Sequence, residues 1–359
     1  MLKIYQKYIA SKFINKFLIT STIFFTLAII LGVLEEINFF KDLKKNFLLP
    51  YLLTVLNAPT TLFEILPFIF LLSVMLFFNE IFEKKELSFL KKSGISNLEI
   101  VKVLSVCSII IGLLIIFLFY NIASNLKYQY SNIKNNYSSD NRYLAMVNEN
   151  GLWIKDELNN NVVITRAKKI QKNSILDVLI NEFDGNFNLI RTISAGKINI
   201  SSTNWVIYNP TIIKDNISKN YTQTLIMKSN FDEKKINSLF SDISTMDLMK
   251  LYLSKKEYEK LGYSSKEIKL QITKLLSLPI TYLLLTIFSA MIMLNFKKKL
   301  PQIFYIIIGV LLSVIIYYIN FIFFSLGING KLTPQIAIFF PLVILGIFSL
   351  IGLISINDK

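Results

Sequence analysis

Long stretches of this chain carry no charge at all, and that constrains its fold more than any other feature. No Asp, Glu, Lys or Arg occurs between Lys102 and Lys127, between Lys274 and Lys297, between Lys299 and Lys331, or between Lys331 and Asp358. A helix needs about 20 mostly apolar residues to cross a bilayer, and each gap is long enough. The 53% hydrophobic content and mean hydropathy of +0.50 exceed those of an ordinary soluble protein. One gap precedes a large polar insert and three follow it, so the chain reads as a multi-span membrane protein with one extramembrane domain.

Six helices are expected to cross the membrane, at 13–35, 59–82, 102–124, 275–296, 301–323 and 334–356. The first follows Lys3, Lys7, Lys12 and Lys16; its apolar run, Phe17 to Leu34, is longer than a signal peptide's and has no clear cleavage site, so it is expected to be retained. The second holds Asn57, Pro59, Glu64 and Pro67 in or beside it. An acid at the bilayer centre costs about 2.5–3.5 kcal/mol, so Glu64 is expected at the outer end, or facing protein or water. Lysines in the short loops set the orientation. The N-terminus, the 83–101 loop and Lys297-Lys298-Lys299 are expected in the cytoplasm, which places residues 125–270 in the periplasm. The domains expected are therefore 1–124 (spans one to three), 125–270 (outer domain) and 271–359 (spans four to six).

The outer segment reads as strands. Gly151 to Asp156, Val162 to Thr165, Leu189 to Ile193 and Trp205 to Tyr208 are rich in β-branched and aromatic residues, with Asn, Asp, Gly and Ser between them. Short strands at such spacing suggest an all-β sandwich or jelly-roll. From Met246 to Leu276 the spacing of Leu248, Leu251, Tyr252 and Tyr258 is helical.

The net charge of +15 comes almost wholly from Lys; Arg occurs only at 142, 166 and 191. In a membrane chain this suits biased composition and solvated surface, with attraction to an anionic partner such as a phosphorylated lipid, better than nucleic acid. The absence of His excludes His-based triads and His metal sites, and the lone Cys107 excludes an internal disulfide. No phosphate-binding Gly-x4-Gly-Lys-Ser/Thr loop, dinucleotide Gly-x-Gly-x-x-Gly or Gly-x-Ser-x-Gly turn is present. The chain is not expected to be an enzyme or to hold a cofactor; any ATP used is hydrolysed by another chain.

The cytoplasmic loop Glu83 to Gly94 looks like a short amphipathic helix ended by Gly94, with Leu87, Leu90 and Phe89 for an apolar face. It is either a solvated connector on anionic lipid or a coupling helix seated on an ATPase. Just outside the first span lies Lys41-Asp42-Leu43-Lys44-Lys45, a basic cluster at headgroup level that either snorkels or binds phosphate. Glu35 and Glu36 beside it would weaken a purely anion-attracting rim; being adjacent, they point to different sides of a helix. Asn320 is expected to hydrogen-bond a neighbouring helix, and Gly112 and Gly309 to allow close helix approach.

The pattern Glu86-Leu87-x5-Ser93-Gly94, the pair Pro59-x7-Pro67 and the insert between spans three and four resemble the LptF/LptG family of lipopolysaccharide-export permeases. The run Asn150 to Asp156 resembles the LptG branch more than the LptF branch. The resemblance implies an inner-membrane permease paired with a second LptF/LptG-type permease and a cytoplasmic ABC ATPase dimer. Such a pair takes lipopolysaccharide from the membrane to a periplasmic jelly-roll bridge protein. It further implies that Glu86, Leu87, Leu90 and Gly94 form the ATPase-coupling helix, and that Lys44, Lys45 and Lys41 lie near the substrate's phosphates. A permease of another ABC system, or a membrane-anchored receptor or assembly factor, would share the span pattern; association with a cytoplasmic ATPase separates the last from both permease readings.

Overall fold

A computed structural model of the chain describes residues 3–41, 48–135, 137, 152–158, 161–171, 173–215, 217–233, 236, 242–260, 264–294 and 301–357. The chain divides into a helical unit (Met1–Tyr130, Asp247–Leu251, Lys266–Lys359) and a β unit (Ser131–Met246, Tyr252–Ser265).

The helices are α1 (Ile4–Phe40), α2 (Leu49–Glu83), α3 (Glu86–Lys92), α4 (Asn97–Leu114), α5 (Tyr120–Asn135), α6 (Leu248–Lys260), α7 (Lys266–Leu294), α8 (Gln302–Ile328) and α9 (Pro334–Asn357). A single π turn, Ile115–Phe119, joins α4 to α5, so the two form one long rod. Among the described residues, six helices are long and apolar enough to span a membrane, with α4 and α5 counted together. Several run past the expected apolar windows, because a helix continues wherever its backbone hydrogen bonds do, inside lipid or out.

The helical core is α2 and α7. In their most apolar windows 61% and 50% of residues are buried, against 6% for α1 and 11% for α8. α2 stays helical through Pro59 and Pro67. Phe70 of α2 stacks on the fully buried Tyr282 of α7, centroids 4.1 Å apart. Gly112 is where α4 meets α7: a Cβ there would lie 2.9 Å from Pro279 Cα. One turn away, Ser108 and Thr286 share a hydrogen bond of 2.6 Å.

Among the described residues, the β unit is one antiparallel sheet of eight strands: β1 (Leu152–Leu158), β2 (Asn161–Gln171), β3 (Ser174–Phe183), β4 (Leu189–Asn199), β5 (Asn204–Tyr208), β6 (Thr211–Lys214), β7 (Ile217–Asn220) and β8 (Leu225–Lys228). The order is β1-β2-β3-β4-β5-β8. The long β4 pairs with β5 through Lys197, Ile198 and Asn199, and with β6 through Thr192, Ile193 and Ser194; β7 pairs with β6. No ladder among the described residues joins β1 to β8, so the sheet is large but not closed. One face builds a core that includes Ile154, Ile180, Ile198, Trp205 and Phe231. The alternation of β5 puts Trp205 and Ile207 inward. Trp205 Nε1 donates to Phe231 O at 2.7 Å, which satisfies the indole within this core.

Candidate functional site

The short helix α3 is bracketed by two residues in the left-handed region. Lys85, at φ 57°, turns the chain out of α2. Gly94, at φ +82°, ends α3: its N–H donates to Lys91 O and the Ile95 N–H donates to Leu90 O, both at 3.0 Å. This pair of bonds around a left-handed glycine satisfies the last carbonyls of the helix. Ser96 then starts α4, exchanging 3.2 Å bonds with Glu99 in a reciprocal cap. The sequence thus fixes a seven-residue helix between two sharp turns.

Glu86 opens α3 and faces α1. Its Oε2 accepts from Lys12 Nζ at 2.5 Å and from Tyr8 Oη at 2.8 Å. Lys12 also lies 3.3 Å from Glu80 of α2, which takes Lys16 at 2.6 Å and Lys84 at 2.7 Å. Partial burial pushes the Glu86 carboxyl up, but the bonds from Lys12 and Tyr8 and the charges of Lys12 and Lys84 outweigh it and hold the group below the usual carboxylate range. The tie is therefore ionised at neutral pH and weakens only as pH falls through that lowered value. Lys12 and Lys16 were legible only as positive charge flanking a span, and Tyr8 was not singled out. Their spacing of four places them on one helix face, a signal that names no partner.

Around Glu86 the apolar side chains divide. Leu87 is half-buried, Phe89 is 72% exposed, and Leu90 is buried at 8%. Leu90 thus lies on the side of α3 that packs into its own chain, and Phe89 is the outward apolar group.

At the other end of α1, Lys41 is exposed and Lys44 and Lys45 lie outside the described residues. The two adjacent acids diverge as expected. Glu35 is exposed, whereas Glu36 is buried and accepts from Tyr130 Oη at 2.8 Å. Beside it, Lys127 donates to Asn57 at 2.7 Å and lies 4.5 Å from the centre of the Tyr130 ring. Glu64 is exposed on α2. Asn320 departs from expectation, because its amide donates to Ile316 O of its own helix at 3.0 Å. Among the described residues no group of three or more His, Cys, Asp or Glu could hold a metal.

Among the described residues, six helices long and apolar enough to span a membrane, a large β unit and a short helix between the second and third of those helices define a multi-pass membrane protein. The family model of the lipopolysaccharide export system permease LptF/LptG matches residues 7–355, almost the entire chain, and the chain belongs to that family. No curated protein matches it.

Proposed function

We propose that this chain is one of two paired permeases in the inner membrane of a lipopolysaccharide extractor, on the LptG branch, driven by a cytoplasmic ABC ATPase dimer. The observation that carries the reading is the family match over residues 7–355. The capped α3 supports it. A coupling helix must keep its shape while it is pushed, and α3 lies between two sharp turns and is capped at its C-terminus. In this reading residues 83–101 and both termini are cytoplasmic and the 125–270 domain is periplasmic. That domain is a jelly-roll-like element that offers a sheet edge to the bridge protein by strand addition.

α1 and α8, the least buried spans, form the wall that meets lipid and the second permease. Glu86 orients the coupling helix, Phe89 and Leu87 enter the groove of the ATPase, and Leu90 and Gly94 hold the helix in shape. Glu86→Arg and Phe89→Asp are each expected to abolish co-purification of the ATPase with the permeases. Retention of an active ATPase by both variants would remove the coupling assignment. At the outer rim, Lys44 and Lys45, with Lys41 beside them, hold the lipid phosphates as mobile point charges. Lys44→Glu combined with Lys45→Glu should cut lipopolysaccharide-stimulated ATP turnover severalfold. Unchanged turnover would leave these lysines as snorkelling residues only.

A further inference from the structure

We infer that Lys12 and Tyr8 of α1 form a clasp on Glu86 that passes the movement of the coupling helix to α1. The inference rests on the reading of α3 as the coupling helix and adds the element that receives its stroke.

Three observations carry it. The first is the geometry of the clasp. One ammonium, Lys12 Nζ, reaches three helices: its own, α3 through Glu86 at 2.5 Å and α2 through Glu80 at 3.3 Å. Tyr8, one turn earlier on the same face, donates to the same Glu86 oxygen and accepts from Lys12 at 3.0 Å. Charge-assisted bonds of this kind are short, directional and stronger than neutral ones.

The second is where α1 is held. Its buried residues are Ile9, Phe13 and Thr20 toward one end and Glu36 and Phe40 at the other. Phe13 packs edge-on against Phe77 of α2 near the clasp. Thr20, and beyond it Thr22 and Thr26, donate to carbonyls of α1 itself. Leu27, Ile30, Leu31 and Leu34 are exposed. One face of α1 therefore stays against α2, through Phe17 on Phe70, Phe24 on Phe68 and the close approach of Gly32 to Thr54, while the opposite face is bare, so a displacement applied at Lys12 is resisted mainly along α2.

The third is the stiffness of the other arm. α3 is bounded by the turns at Lys85 and Gly94 and its last carbonyls are satisfied, so unwinding its C-terminal turn would cost those bonds. Force that enters at Phe89 leaves α3 through Leu90, packed in the bundle, and through Glu86, which is bonded to α1. Lys12 is therefore a positioning residue, acting through Glu86.

The experiment uses the full complex, with the second permease and the ATPase, in proteoliposomes containing lipopolysaccharide. A spin label replaces Ile23, exposed on α1, in a Cys107→Ser background. In the parent complex, ATP should change the label's mobility. In Lys12→Met the ATPase should stay bound, while the lipopolysaccharide-stimulated increment of turnover falls about tenfold, the ratio expected from one lost charge-assisted hydrogen bond. The label's response to ATP should vanish with it. Lys12→Arg should restore both signals, and Tyr8→Phe should weaken them less than Lys12→Met does. A Lys12→Met complex with parental stimulation and label response overturns the clasp, and so does one that sheds the ATPase, since Lys12 would then act in docking. Failure of the coupling reading itself is seen separately, as ATPase still bound to Glu86→Arg and Phe89→Asp.

Discussion

Asp156→Ala should strongly destabilise the β unit. Asp156 is buried at 4% exposure on β1. One carboxylate oxygen accepts from Ser229 Oγ and from the Asn230 N–H, both at 2.9 Å, and the other accepts from Asn230 Nδ2 at 2.8 Å. These bonds tie the first strand to the segment after β8, some 70 residues along the chain. That segment delivers Phe231, which is fully buried and accepts the Trp205 indole bond. Alanine removes the acceptor of three donors at once, and a buried donor that loses its acceptor costs about 1–3 kcal/mol. The losses share one site and are not additive, so a total of roughly 3–5 kcal/mol is expected. The chain has two tryptophans, and Trp205 is the buried one. Thermal unfolding of the whole protein in detergent, followed by tryptophan emission, should show the Trp205 transition at clearly lower temperature. Asp156→Asn keeps one acceptor and should lose less. A loss below about 1 kcal/mol for alanine would mean that the strap at 229–231 is held by its apolar contacts alone.

The six spans were legible because the signal is local: a bilayer excludes charge, and charge-free runs of sufficient length are read directly. The ends of the spans were less so. Hydropathy marks where lipid begins and ends, while α1 begins at Ile4, among lysines that are good helix formers in water. Strand β5 was legible from Trp205-Val206-Ile207-Tyr208. Strand β3 was not, because Asp177, Asn181 and Glu182 interrupt its apolar pattern. The fold accommodates them individually. Asp177 takes φ 50°, Asn181 accepts from Thr192, and Glu182 pairs with Arg191 at 2.6 Å. Closure of the sheet depends on which distant strands pair, and no count of strands supplies that. The partner of Glu86 is non-local in the same way, since Lys12 lies 74 positions earlier. The family resemblance drew attention to Glu86, but only the folded chain brings Lys12 and Tyr8 to it. Likewise, the spacing of Leu87, Phe89 and Leu90 was visible, yet which of them faces inward depends on how the turn at Lys85 lays α3 against the bundle.

Gly112→Leu should have the largest effect in the helical unit, and Gly112→Ala should already be costly. A Cβ at Gly112 would sit 2.9 Å from Pro279 Cα and 3.1 Å from Tyr282 Cδ2. The first neighbour is backbone, and the second belongs to a fully buried ring stacked on Phe70. Neither can turn aside as a flexible side chain would, so α4 and α7 must separate. Separation lengthens the 2.6 Å bond between Ser108 and Thr286, which joins the same two helices one turn away. Inside a bilayer, close packing and such interhelical bonds are what hold helices together, since lipid is as apolar as the helices themselves. Overpacking of this kind costs about 1–3 kcal/mol for a methyl group, and leucine should exceed that range. Gly309→Ala is the matched control. Its Cβ would also be crowded, but by the end of the Met75 side chain, which can swing away. In detergent, Gly112→Ala should therefore lower the unfolding temperature markedly and Gly309→Ala only slightly. If the two fall equally, the α4–α7 crossing is no more intolerant of bulk than a side-chain contact, and the core formed by α2 and α7 does not depend on the close approach of α4.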